Sequence, residues 1–366
     1  MNDPLVPSAG AGTDIERLCS KLWGLSGQLD QPDSWPGCQF ERLAESGVLG
    51  WVIPRQFGGS EIAPEELTRG YELLSAACLT TTFVLTQGNG ACQRIAGCEN
   101  DILKDELLPG LCLGETFATV GISHLSTSGQ HLRTPAVQVE QNGSDLVFTG
   151  VIPWVTGARH ADYIVTGGTC ADGRQVLAVV ATDSPEVVVR QPPNLMALNA
   201  SQTGAVELNG VQVDERFLIA GPVEGVMKRG KGGGTGSVTT SALALGTATR
   251  ALALLRQEAE QRADLREIVE SIEAERSETA EMMYELSRGE TMHESPALVA
   301  DTVRKRANSI VLRATQAYLA ASKGAGIVSG HPAERLVREA MFFLVWSCPQ
   351  PVLTAALREF ACLIET

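Results

Sequence analysis

The sequence predicts an α+β multidomain protein: an N-terminal helical domain, a central β-barrel or sandwich domain and a C-terminal four-helix bundle. Apolar residues recur at helical spacing from Asp14 to about Gly114 and again from Ser237 onward, while Glu115 to Gly221 reads as short β-branched runs. Those two changes of character mark the joins. The length, 366 residues, allows roughly 2.4 units at about 150 residues each. The expected divisions are a flexible 1–12, a helical 13–114, a β-rich 115–221, a connector 222–236 and a bundle 237–366.

In the first segment Ile15, Leu18, Leu22 and Leu25 fall on one helical face. Leu43, Val48 and Leu49 lead into Pro54-Arg55-Gln56-Phe57-Gly58-Gly59, a turn cluster that interrupts any helix. Pro64, with Glu65 and Glu66 beside it, suits the first turn of a second helix running past Tyr71, Leu74 and Cys78. A third is expected to start near Ala91 and to end at Pro109-Gly110.

The β segment offers strands near Ala136–Val139, Leu146–Thr149, Tyr163–Thr166, Gln175–Ala181, Glu186–Val189 and Ala205–Val213, with the turn dipeptides Asn142-Gly143, Asp172-Gly173 and Asn209-Gly210. Gly221 to Gly236 then holds seven glycines with Lys228, Arg229 and Lys231. Lys231 is followed by glycines rather than Ser or Thr, so this reads as a connector and not as a P-loop. In the last segment Leu245, Ala248, Leu252 and Leu255 form one stripe, Leu265, Ile268, Ile272, Met283 and Leu286 a second on an acidic helix, and Val311, Ala314, Tyr318 and Ala321 a third.

Lys plus Arg is 29 and Asp plus Glu 43, a net charge of −14, which argues against non-specific attraction to nucleic acid or anionic lipid. Hydrophobic residues at 44% and charged residues at 20% are those of a folding chain. Nine scattered cysteines without a CxxC pair read as reduced thiols, not as a disulfide scaffold or a zinc site. No run of about 18 apolar residues is present. The start of the chain lacks a basic, then apolar, secretory pattern, so the expected compartment is the cytoplasm.

Four stretches carry a resemblance. Glu45 to Gly50 runs into Ile53-Pro54 and ends in Phe57-Gly58-Gly59; Phe117-Ala118-Thr119 follows the first helical segment; Gly150 to Gly157 contains Trp154-Val155-Thr156, with Ala161-Asp162 close behind; Gly246-Thr247-Ala248 pairs with Lys323-Gly324-Ala325-Gly326. Together with the order of segments, these resemble the acyl-CoA dehydrogenase superfamily of flavoproteins over nearly the whole chain. The resemblance implies FAD as cofactor, with Phe117, Thr119, Ser126, Trp154 and Thr156 around the flavin and Gly324 and Gly326 approaching the FAD of a neighbouring subunit. A Trp face suits the isoalloxazine ring, and a Thr two positions on in a strand would reach the ring edge from the same side. It also implies a small-molecule substrate such as an acyl-CoA, and a homodimer or homotetramer.

The chain departs from the family where chemistry needs a base. Arg338-Glu339-Ala340 matches the family's Arg-Asp-Ala motif, but nine residues beyond Arg338, where the family has its Glu, stands Ser347 between Trp346 and Cys348. The minority position, about ten residues before Gly246, is Gly236. Thr-Glu-Pro after the flavin strand is replaced by Thr119-Val120-Gly121, and the Arg-x-x-Phe-Gly segment that holds the neighbour's FAD by Arg262-Ala263-Asp264-Leu265. His124 reads as a structural histidine, Glu339 as a bundle residue and Glu267 to Glu281 as a solvated face. Three functions are consistent with this: a flavin-dependent dehydrogenase of acyl-CoA type, a flavin-dependent oxidase or monooxygenase on the same fold, or a non-catalytic subunit paired with an active homologue. Binding coenzyme A would call on local basic residues such as Lys228, Arg229 and Lys231.

Overall fold

The computed structural model describes Leu5 and residues 13–31, 33–126, 134–142, 145–229, 238–290 and 295–363. The expected flexible N-terminus, apart from Leu5, and the connector from residue 230 to 236, with Lys231, lie outside the described residues.

The N-terminal segment forms α1 (Asp14–Ser26), α2 (Gly37–Glu45), α3 (Pro64–Ala77), α4 (Leu79–Ala96) and α5 (Asp101–Leu113). Thr13 and Glu16 close a capping box on α1, and Leu18 and Leu22 turn inward. Pro64 opens α3 as expected. Two expectations are corrected. The next helix starts at Leu79, because Cys78 alone turns extended (φ −160°) and the Thr-rich run after it continues as helix with its side chains buried. Pro109 lies inside α5, which ends at Gly114 in the left-handed region (φ 74°). A proline that deep removes one helical N–H but leaves the other turns intact, and glycine supplies the actual stop.

The central segment forms β1 (Ala118–Gly121), α6 (Ser123–Ser126), β2 (Val137–Asn142), β3 (Asp145–Val155), β4 (Tyr163–Cys170), β5 (Gln175–Ala181), β6 (Val187–Val189), β7 (Gly204–Val213) and β8 (Leu218–Val223). They join in one sheet ordered β6-β7-β3-β2-β4-β5-β8, with β1 parallel to β4. The sheet wraps one core of its own: Val137, Phe148, Ile164, Ala178, Val206 and Val211 belong to it. On the other face, Val165, Leu177 and Val179 meet Ala91 and Ile95 of α4 and Leu107 and Leu111 of α5. β4 and β5 are thus buried on both sides, which is why they read as continuous apolar runs rather than alternating ones.

The last segment forms α7 (Val238–Gln261), α8 (Arg266–Arg288), α9 (Pro296–Ala321), α10 (Pro332–Met341) and α11 (Gln350–Phe360). Helices α7, α8 and α9 pack mutually, α10 closes against α9 and α7, and α11 lies on α9. By length and composition α7 could cross a membrane, but 83% of its most apolar stretch is buried inside the protein, as befits a central bundle helix. The stripe expected on α8 is corrected at Ile268, which is 43% exposed, with Val269 facing inward in its place; Leu265, Ile272 and Met283 are buried as expected. Its acidic face is solvated as expected, with Glu267, Glu270, Glu278 and Glu281 exposed, and it is laced to α9 by Glu275–Arg313 (2.7 Å) and Glu278–Arg306 (2.6 Å). α3 packs on α7, and the two helical segments share a single core running from Leu22 and Leu74 to Leu252 and Val311.

Candidate functional site

The resemblance gathers its flavin residues at the ends of β1 and β3, and the structure brings part of that set together. Thr119 is fully buried, and its hydroxyl donates to the backbone oxygen of Thr156 (2.8 Å). Thr156 is also buried; its Oγ1 lies 3.0 Å from Thr203 Oγ1, which in turn lies 2.8 Å from Ser201 Oγ. These hydroxyls stitch β1, β3 and the turn before β7 together.

Trp154 and Thr156 do not present one face, contrary to expectation. The register of β3 against β7 shifts between Ile152 and Val155. Ile152 and Val155 both point into the core, so Pro153 and Trp154 between them are pushed outward, and Trp154 is 42% exposed while Thr156 is 1%. Strict alternation would have put Trp154 beside Ile152. Val151 opposes Glu207 on β7, and Glu207 opposes Val188 on β6. Val151 and Val188 are each 42% exposed, but Glu207 stands between them and pairs with Arg190, so the outer face of the sheet is mixed rather than apolar there.

Phe117 points the other way. Its backbone N–H donates to Asp162 Oδ2 (2.7 Å) and its carbonyl accepts from Asp162 N (2.8 Å), which anchors β1 to the start of β4. Its ring meets Trp35 (5.9 Å) and Phe40 (5.5 Å) edge-on, and Trp35 stacks on His160 at 4.1 Å. Burial holds the His160 imidazole below its ordinary pKa, opposed by a hydrogen bond with Gln202. Gly157 (φ 68°) makes this cluster possible, since a Cβ there would lie 2.6 Å from the Trp35 ring. Trp35, Phe40 and His160 were not foreseen. No local spacing relates positions so distant in the chain.

The turn at Ser347, where the resemblance expects a base, follows α10. Trp346 stacks on Phe342 (5.4 Å) and meets Phe83 of α4 edge-on (4.7 Å), and Ser347 adopts φ 43°. Arg304 of α9, buried, donates from Nη2 to the carbonyls of Trp346 (3.0 Å) and Phe343 (3.4 Å), while Asn308 Nδ2 donates to Phe343 O (2.9 Å). Burial lowers the Arg304 pKa to about 10. Burial pushes the Cys348 thiol up, with Arg304 pulling the other way. Trp346, Ser347 and Cys348 bring no carboxylate to this turn. Glu339 is instead buried beside Trp23, Cys78, Arg250 and Arg335. Burial pushes its carboxyl up to about 7, against the pull of Arg335.

Gly324 and Gly326 lie in the 3₁₀ turn Lys323–Ile327, which packs on α9 and α10. A Cβ on Gly324 would meet nothing, whereas on Gly326 it would stand 2.9 Å from Ser322 Cβ, so Gly326 serves its own turn. Arg262 donates to Ala321 O (2.9 Å) at the foot of that turn and lies 3.6 Å from Asp264. Ser126 ends α6, and its side chain lies outside the described residues. His124 is buried, with Nε2 2.9 Å from Gly167 O, which fits the structural role expected of it.

The exposed Trp154 indole offers a face for a flat ring, with the Thr119–Thr156 bond as a rigid backing rather than as free donors. The residues fit a planar aromatic group at that face.

Residues 25–115 match the model of the acyl-CoA dehydrogenase N-terminal domain family. A Bacillus subtilis protein described as a probable acyl-CoA dehydrogenase is 24% identical over 329 residues, covering 85% of this chain and 86% of that protein. Butyryl-CoA dehydrogenase from Megasphaera elsdenii superposes with a TM-score of 0.80 at 16% identity, over 97% of this chain and 100% of its own. Dibenzothiophene monooxygenase from Paenibacillus sp. A11-2 superposes at 0.77 with 15% identity, over 96% of each chain. Two differently named activities thus share this fold.

Proposed function

The chain belongs to the acyl-CoA dehydrogenase superfamily, and from that premise we propose that it is an FAD-dependent oxidoreductase in which Trp154 carries the isoalloxazine ring. The outward displacement of Trp154 supports this most directly: a large indole left 42% exposed between buried Ile152 and Val155 is a surface suited to a flat partner. Thr119 and Thr156 hold the strands behind it, and Phe117 secures β1 through Asp162. Gly324, with open space around it, is the point at which the FAD of a second copy could approach closely. When bound, FAD supplies a two-electron acceptor.

For an acyl-CoA-like substrate, hydride loss from the β-carbon requires a base for the α-proton, and the turn at Ser347 supplies none. In this reading that base comes from another element of the chain. A second reading is favoured by the same turn: aromatic Trp346 and hydroxyl Ser347 stand where a carboxylate would act, which suits a flavin-dependent oxidase or monooxygenase, a reaction that needs no α-proton base there. A third, a non-catalytic subunit paired with an active homologue, follows if no flavin is held.

The visible spectrum of protein reconstituted with FAD decides between holding and not holding the cofactor. A flavin band that survives desalting is expected, and a colourless protein overturns the proposal in favour of the non-catalytic subunit. Anaerobic bleaching by an acyl-CoA would then mark dehydrogenation, and persistent colour with every acyl-CoA would mark the oxygen reaction. Trp154→Ala is expected to weaken FAD retention by about tenfold, the loss of one aromatic stacking face. Equilibrium dialysis showing unchanged retention would remove Trp154 from the site.

A further inference from the structure

Strand β1 borders a second feature that the flavin assignment leaves unused. A cavity of about 280 Å³ lies between α2, α4, α5 and β1, walled by Phe40, Leu85, Leu111 and Phe117 and rimmed by Trp35. An enclosed apolar space of roughly 150 Å³ takes up benzene, so this one has room for about two fused rings. Its polar groups include the Trp35 indole N–H, the Thr116 hydroxyl and a single carboxylate among the described residues that line it. Glu41, exposed at one side, carries a carboxylate, and Asn89 spends its Nδ2 on Tyr71 Oη (2.7 Å), which leaves its carbonyl oxygen to accept. No lysine or arginine is among the described residues that line it. His160 is the remaining ionisable nitrogen at the rim, and burial favours its neutral form.

We infer that this cavity is a binding site for a planar, bicyclic-sized apolar amine, with the rings against the wall of Phe40, Leu85 and Phe117 and the ammonium at Glu41. An anionic ligand of the same shape finds no counter-charge there, and the chain as a whole carries −14. The surrounding aromatic rings add favourable contacts for such a ring system. The inference stands on the cavity alone and does not require the flavin.

Tryptamine, indole and indole-3-propionate share one ring system and differ in charge, so isothermal titration of each into the protein tests it. The titration uses the protein as isolated, with its flavin content read from the visible band, and the expected order is tryptamine tightest, indole weaker and indole-3-propionate weakest. Glu41→Gln, at an exposed position, should reduce the preference of tryptamine over indole by about fivefold. Leu85→Trp should fill the cavity and abolish all three; should circular dichroism show that variant unfolded, Ala44→Trp fills the same space from half-buried α2. Absence of binding, equal binding of the three probes, or an order untouched by Glu41→Gln overturns the inference. Flavin retention is read separately from the visible band, so a colourless protein that still ranks the probes overturns the proposed function and not this site.

Discussion

Gly246→Val is expected to destabilise the protein by about 3 kcal/mol, the upper end of the usual cost of overpacking. A Cβ at Gly246 would stand 2.2 Å from the backbone oxygen of Glu72 and 2.9 Å from Ser75 Cβ, because α7 and α3 cross in direct backbone contact there. The crossing has little freedom to open. Ser75 Oγ donates to Leu243 O (2.7 Å) and Arg250 Nε to Ala76 O (2.6 Å), one on each side of the glycine. Around it, Glu72 accepts from Arg276 Nη1 (2.9 Å) and from the Tyr284 hydroxyl, binding α3 to α8 as well. Urea unfolding followed by circular dichroism measures the effect. A midpoint equal to that of the unmodified protein would show that the two helices do not meet at this glycine.

The second large effect concerns pH. The carboxyl of buried Glu339 is pushed from 4.5 up to about 7, chiefly by burial, with Arg335 acting against the shift. A folded pKa above the unfolded one means that the folded chain prefers the protonated form. The contribution of Glu339 is therefore complete below about pH 4.5 and declines as pH rises to about 7, by roughly 3 kcal/mol in all. Glu339→Gln keeps the shape and removes the titration. Its stability is expected to lose less between pH 5 and pH 8 than that of the unmodified protein. Parallel urea midpoints across that range test this; identical pH slopes would show that Glu339 is ionised and matched by Arg335.

Glu339 also illustrates how far the sequence reaches. Its place beside Arg338 and Ala340 marks it as a bundle residue, and it is one, facing Trp23, Arg250 and Arg335 rather than the turn at Ser347. Counting from Arg338 is enough to single out Ser347 as the position to compare. That Arg304 and Asn308 hold the carbonyls of that turn from α9 was not, because nothing in the local spacing of a helix tells which distant helix end its polar residues will meet.

Spacing and turn chemistry were enough for many of the elements: α1, Pro64 opening α3, the paired strands of the middle segment and the apolar seams of α7 and α9. These depend on neighbours within a few residues, and a chain carries that information locally. The side each residue faces at the site depended instead on pairing. A register shift between Ile152 and Val155 turned Trp154 outward and left Thr156 buried, and the cavity of Trp35, Phe40, Phe117 and His160 exists only because α2, β1 and the turn after β3 converge. Such contacts join residues far apart in the chain, and only the folded packing brings them within reach of one another.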